Sequence, residues 1–161
     1  MTLPKHVALI CEAFTAVLAE DNHAEPNRGD LKTFQPFATS MPINAVFSLY
    51  GHLEGPVVVG LSLLAAKRLA RDTAGITGVT FDRACTNAIA QWTQRFAMAA
   101  QNRLENNGIV CSVGSTSIIK GARTKVVTKA ESGLLIPYQG NDLGLAEISL
   151  GLVKRLGQIA A

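Results

Sequence analysis

The sequence lacks the short motifs that announce common small enzymes. It has no GxxxxGK(S/T) phosphate loop, no GxGxxG dinucleotide turn, no HExxH zinc helix and no GxSxG nucleophile elbow. Its three histidines are His6, near the terminus, His23, in a polar loop, and His52, in a turn. None has a second His or Cys at ligand spacing, so solvated histidines are expected and no metal site. The three cysteines, Cys11, Cys85 and Cys111, form no CxxC and lie among apolar neighbours. They read as reduced core thiols, which points to the cytosol. No apolar run approaches the length that spans a bilayer. The stretch VALICEAFTAVLA (7–19) is interrupted by Glu12 and has helical period, which excludes a signal peptide. Charge of one sign is also scarce: the net charge is +3, the basic residues are scattered, and no RNA-binding or helix-turn-helix signature accompanies them. Nucleic acid is therefore not an expected partner. A soluble, cytoplasmic chain without membrane insertion is expected.

What is present is the composition of a folded domain. Of 161 residues, 48% are hydrophobic and 17% charged, enough to bury a core and too few charges for disorder. A single domain over 1–161 is expected, with its core at roughly 5–152. Residues 5–20 have a helical apolar stripe of Val7, Ile10, Cys11, Phe14, Val17 and Leu18. A polar loop (21–30) leads to a weak strand, Leu31 to Phe37, which Pro36 limits to an edge or a short piece. Ile43 to Tyr50 alternates as a strand, GHLEG (51–55) reads as a turn, and Val57 to Leu61 as a short apolar strand. Ser62 suits the N-cap of a helix over 63–74, and Gly75 its C-terminal stop. A long helix over 81–106 follows, with Phe81, Cys85, Ala88, Ile89, Trp92 and Phe96 as its core stripe. Ile109 to Val113 and Thr124 to Thr128 read as strands, and Leu134 to Tyr138 with Leu143 to Leu150 as a hairpin whose first strand Pro137 pushes towards an edge. Residues 153–161 read as a short tail. Runs of strands beside runs of helices predict an α+β fold, with helices packed on a mainly antiparallel sheet.

Few residues offer chemistry. Thr39, Ser40 and the Ser115-Thr116-Ser117 run carry hydroxyls without an assignable base, and Glu54 sits in a turn. The long helix is more informative. Opposite its core stripe fall Asn87, Gln91, Gln94, Met98 and Gln101, with almost no charge between Arg83 and Arg95. Solvated helices more often carry charge pairs four residues apart. On spacing alone, an ordinary polar face remains the simpler reading.

The stretch GHLEGPVVVGLSLLAAKRLARDTAG (51–75) resembles the CheX/CheC family of bacterial chemotaxis phosphatases, in which a G-D-L-x-G-x-V-V hairpin leads into a helix beginning with Ser. AMAAQNRLENNGI (97–109) resembles the family's A-G-N-A-K-T-x-L-x-x-L-G. SIIKG (117–121) and LLIPYQGNDLGLAEISL (134–150) are similar to its final strands. The resemblance rests on the order of elements and on several partial motifs. It implies a site on the long helix, where the family carries an E-x-x-N pair acting on the phosphorylated receiver domain of CheY. In the family the Glu holds the receiver's active-site Lys and the Asn orients the attacking water. The receiver brings the Mg2+, so no cofactor of this chain's own is implied. Such a partner catalyses by orientation alone.

At these two positions the chain has Gln91 and Gln94. Gln94 keeps a donor and an acceptor and can still hold a water, one methylene further out. Gln91 cannot form an ion pair, and losing about 1–2 kcal/mol of a charged hydrogen bond would cut binding or rate roughly 5- to 30-fold. Residues 83–104 contain no Asp or Glu to replace it. The resemblance thus implies Gln91 and Gln94 as the catalytic pair, with Asn87, Met98 and Gln101 as partner-binding residues, a phosphorylated CheY-like response regulator as partner, and a homodimer. Two outcomes stay open: a phosphatase working with a Gln-x-x-Gln pair, or a weakened or inactive module that binds a receiver without turnover.

Overall fold

The computed structural model describes residues 3–78 and 80–155. Helix α1 spans Lys5–Glu20 and buries Val7, Ile10, Cys11, Phe14, Val17 and Leu18, the stripe expected from the sequence. Two short strands follow, β1 (Asn27–Arg28) and β2 (Lys32–Phe34), then a long hairpin of β3 (Ile43–Gly51) and β4 (Leu53–Leu61). Helices α2 (Leu63–Ala74) and α3 (Arg83–Asn106) come next. Strands β5 (Cys111–Val113), β6 (Ser117–Lys120), β7 (Gly133–Gly140), β8 (Gly144–Leu150) and β9 (Val153–Lys154) complete the described chain.

The fold is α+β: among the described residues three helices accompany an antiparallel sheet ordered β1-β7-β8-β4-β3-β5. β2 extends the pairing of β7, β6 that of β3, and β9 pairs with the start of β4. The core lies between sheet and helices. Phe14 of α1 meets Trp92 and Phe96 of α3 edge-on, at 5.9 and 5.8 Å between centroids, and Tyr138 of β7 at 4.9 Å. Phe96 in turn reaches Phe47 of β3 at 5.6 Å. These aromatic contacts fix the rotation of α3 about its axis, because Trp92 and Phe96 can face inward only if Gln91 and Gln94 face out.

Local chemistry sets the helix ends. The Ser62 hydroxyl accepts from the Ala65 N–H at 3.2 Å, and Gly75 closes α2 at φ +69°, a backbone conformation that side-chain-bearing residues avoid. α3 begins two residues later than the apolar pattern predicts, because the Asp82 carboxylate takes the capping position and accepts from the Cys85 N–H at 3.1 Å. All three cysteines are buried and free.

Several local expectations are corrected. Thr124–Thr128 is not a strand: it makes a single bridge, Ala38 to Lys125, and Val127 is exposed. Arg123 at φ +66° turns the chain, and Thr39 holds the segment instead, donating to Gly121 O and accepting from Thr124 N, both at 2.9 Å. The turn over GHLEG is tighter than predicted, with Leu53 and Glu54 already in β4. β7 is not an edge, since β1 and β2 cover it; Pro137, with no N–H to donate, falls in the gap between their ladders. His23 is buried rather than solvated. Its Nε2 lies 2.7 Å from Asp72 and its Nδ1 3.6 Å from Asp142, so it ties the end of α1 to α2 and to the β7–β8 turn. The expected tail begins with β9, and its remainder from 156 lies outside the described residues. No helix among the described residues is long and apolar enough to cross a membrane.

Candidate functional site

The outward face of α3 is built by subtraction. Cys85, Ala88, Ile89, Trp92, Thr93, Phe96, Ala97, Ala100 and Leu104 are taken by the core. Thr93 spends its hydroxyl on the Ile89 carbonyl at 2.7 Å. Between the two end turns of α3, what remains exposed is Asn87, Gln91, Gln94 and Met98, followed by Asn102. Neither Gln91 nor Gln94 donates its side-chain amide to, or accepts with it from, another described residue. Both amides therefore keep a donor and an acceptor for an outside molecule.

Gln91, Gln94, Met98, Ala99 and Asn102 line a shallow depression of about 510 Å3, together with Arg95 and, from the end of α1, Glu20. The structure thus brings together three of the residues expected from the sequence, Gln91, Gln94 and Met98. Asn87 lies further along the same face and does not line the depression. Gln101 is half-buried and is replaced there by Asn102, which continues the 91–94–98 stripe by one more turn.

Sequence reasoning missed Glu20 and Arg95. Arg95 reaches from α3 to the end of α1, where its Nη2 donates to Asp21 Oδ2 at 2.7 Å and its Nη1 to Glu20 Oε2 at 3.4 Å. The Asp21 carboxylate is largely buried, with 12% of its side chain exposed, whereas that of Glu20 is 61% exposed. A carboxylate therefore stands beside the amide pair although α3 itself has none there. One signal was available: α1 ends in Glu20 and Asp21 with no basic residue in its last turn, the reverse of what the helix dipole favours.

A second hollow, of about 520 Å3, lies between α1 and β1, and Cys11, Glu12, Arg28 and Tyr138 are among its lining. Burial pushes both the Cys11 thiol and the Tyr138 hydroxyl up from their ordinary values. Both stay protonated at neutral pH, which removes the thiol and the phenol as nucleophiles there. The α3 face is the better candidate.

No protein-family model and no curated protein sequence matches the chain. Solved structures do. A chemotaxis protein CheX from Desulfovibrio desulfuricans superposes with a TM-score of 0.80 at 19% identity, over 94% of this chain and 100% of that one. A CheC-like superfamily protein from Shewanella sp. PV-4 gives 0.81 at 13% identity, over 94% and 99%. A CheX from Borrelia burgdorferi, solved as a CheX–CheY–BeF3–Mg2+ complex, gives 0.74 at 16% identity, over 92% and 98%. The chain has the fold of the CheX/CheC-like chemotaxis proteins.

Proposed function

We propose that the α3 face docks on the phosphorylated receiver domain of a CheY-like response regulator and promotes hydrolysis of its aspartyl phosphate. The observation that carries this reading is the pair of unengaged amides, Gln91 and Gln94, exposed one turn apart on a helix whose inward face is locked by Trp92 and Phe96. The shared fold supports it, since one protein of that fold is solved with CheY, BeF3 and Mg2+.

In this reading the Gln94 amide oxygen accepts a hydrogen bond from a water and aims its oxygen at phosphorus. The oxygen attacks in line, the bond from phosphorus to the aspartyl oxygen breaks, both protons of the water leave with the inorganic phosphate, and a free aspartate carboxylate results. The Mg2+ belongs to the receiver. The amide supplies only position, which is sufficient where the partner already holds the charge. Gln91 hydrogen-bonds a donor of the receiver, and Met98 gives the face an apolar contact. Asn87, Asn102 and Gln101 border the contact. The chain acts as a homodimer in solution, which light scattering tests.

The test is decay of phosphorylated receivers drawn from the same cell, with and without the protein. Acceleration by the wild type, and a loss of about tenfold or more in Gln94→Ala, is the expected result. No acceleration of any receiver sinks the catalytic reading.

A second reading is favoured by one observation: α3 has no acid between Arg83 and Leu104. The protein then binds the receiver without turnover. Binding to a BeF3-loaded receiver without faster decay identifies this case, and activity appearing only in Gln91→Glu/Gln94→Asn marks the natural site as a disabled phosphatase.

A further inference from the structure

We propose that Glu20 supplies, from the end of α1, the carboxylate that α3 lacks, and that it receives a cationic side chain of the docking partner. The proposal rests on the receiver-docking reading above and names the group that recognises the partner's charge.

The first support is position. Glu20 lines the same depression as Gln91, Gln94 and Met98, from a different helix. A search for a replacement acid along α3 alone cannot find it.

The second is charge. At this face one guanidinium, Arg95, meets two carboxylates, Asp21 and Glu20. Asp21 holds Arg95 at 2.7 Å and is largely withdrawn from solvent. Glu20 sits at 3.4 Å and keeps most of its surface open. Asp21 therefore answers the charge of Arg95, and Glu20 leaves a surplus negative charge beside the amides. A carboxylate that shares a depression with two unengaged amides suits an incoming cation, which brings donors and no acceptor.

The third is helix chemistry. A carboxylate at the C-terminal end of a helix opposes the helix dipole. Glu20 does not stabilise the helix that carries it, and α1 relies on Arg95 from another element to offset the unfavourable end. Within the fold Glu20 has only the long, exposed contact to Arg95 at 3.4 Å, so most of its charge stays open to a cationic partner.

The experiment uses the full chain and receiver domains from the same cell loaded with BeF3 and Mg2+. Affinity is measured at about 50 and about 300 mM salt for the wild type, Glu20→Gln and Glu20→Gln/Gln91→Glu, with melting temperatures alongside. Glu20→Gln is expected to weaken binding about tenfold and to flatten its salt dependence, with melting unchanged because the side chain is exposed. Adding Gln91→Glu is expected to restore most of both, by returning a carboxylate to the same face. Affinity and salt dependence of Glu20→Gln equal to those of the wild type overturn the proposal and leave the docking reading standing. A loss of binding accompanied by a lowered melting temperature and no rescue by Gln91→Glu also overturns it, as a structural effect. A wild type that binds no receiver overturns the docking reading, and the proposal with it.

Discussion

Arg95 of α3 grips Asp21 at the end of α1 at 2.7 Å, across 74 residues of sequence. The contact does two jobs through geometry. It ties the last turn of α1 to the middle of α3, and it holds the exposed Glu20 carboxylate against the face that carries Gln91 and Gln94.

The two carboxylates are expected to separate in stability measurements. Asp21→Asn removes the ionised acceptor from a largely buried, charge-assisted hydrogen bond. It should cost about 1–2 kcal/mol in chemical denaturation. Glu20→Gln removes only the longer, exposed contact and should stay within about 0.5 kcal/mol of the wild type. Equal losses from the two variants would mean that Arg95 divides itself evenly between them.

Phe96 lies inside the aromatic cluster, in ring contact with Phe14, Phe47 and Trp92. Phe96→Ala should therefore cost about 3–5 kcal/mol. Trp92→Phe should cost less than Phe96→Ala. It keeps a ring in place and deletes an indole N–H that is buried without a partner among the described residues. Urea denaturation of both variants checks the order. The same measurement bears on function, because a rotated α3 would carry Gln91 and Gln94 away from their common depression.

His23 joins three elements through Asp72 and Asp142, and the Ala24 N–H adds a bond to Asp142 at 3.0 Å. His23→Ala should cost about 1–3 kcal/mol, since it removes a buried side chain packed against Asp72 and Asp142. Hydrogen exchange should show the loss concentrated at the end of α1 and in the turn between β7 and β8. A uniform loss across the chain would refute this local role.

These particulars mark what a sequence discloses and what it withholds. The cap at Ser62, the stop at Gly75, the inward stripe of α3 and the hairpin that closes on itself through β7 and β8 depend on residues a few positions apart. Their periodicity and capping chemistry are visible in one dimension. So was the outward placement of Gln91, Gln94 and Met98, which follows from 100° per residue once Trp92 and Phe96 are known to face inward. Glu20 beside Gln91, Asp72 beside His23 and Thr39 beneath the 121–126 segment are contacts between distant segments. Their residue types read as ordinary loop polarity until the sheet and helices bring them together. The Thr124–Thr128 segment failed for the opposite reason: its β-branched residues have strand propensity, but its flanking turn leaves it only one bridge to pair with.

The α3 N-terminus supplies a prediction with a definite sign in pH. The Cys85 N–H donates to the Asp82 carboxylate and holds its pKa below the ordinary value of 3.8, with the Ala84 N–H adding to the effect. The folded chain therefore holds this proton less tightly than the unfolded chain does. The resulting stability is fully present above the unfolded value and is lost as pH falls through the lowered folded value. Asp82→Ala should melt below the wild type at neutral pH, because α3 loses its cap. The gap between the two should narrow as the pH is taken below about 4. Thermal melts of both proteins across that range check it, and a gap that widens in acid would show that Asp82 is not acting as an ionised cap.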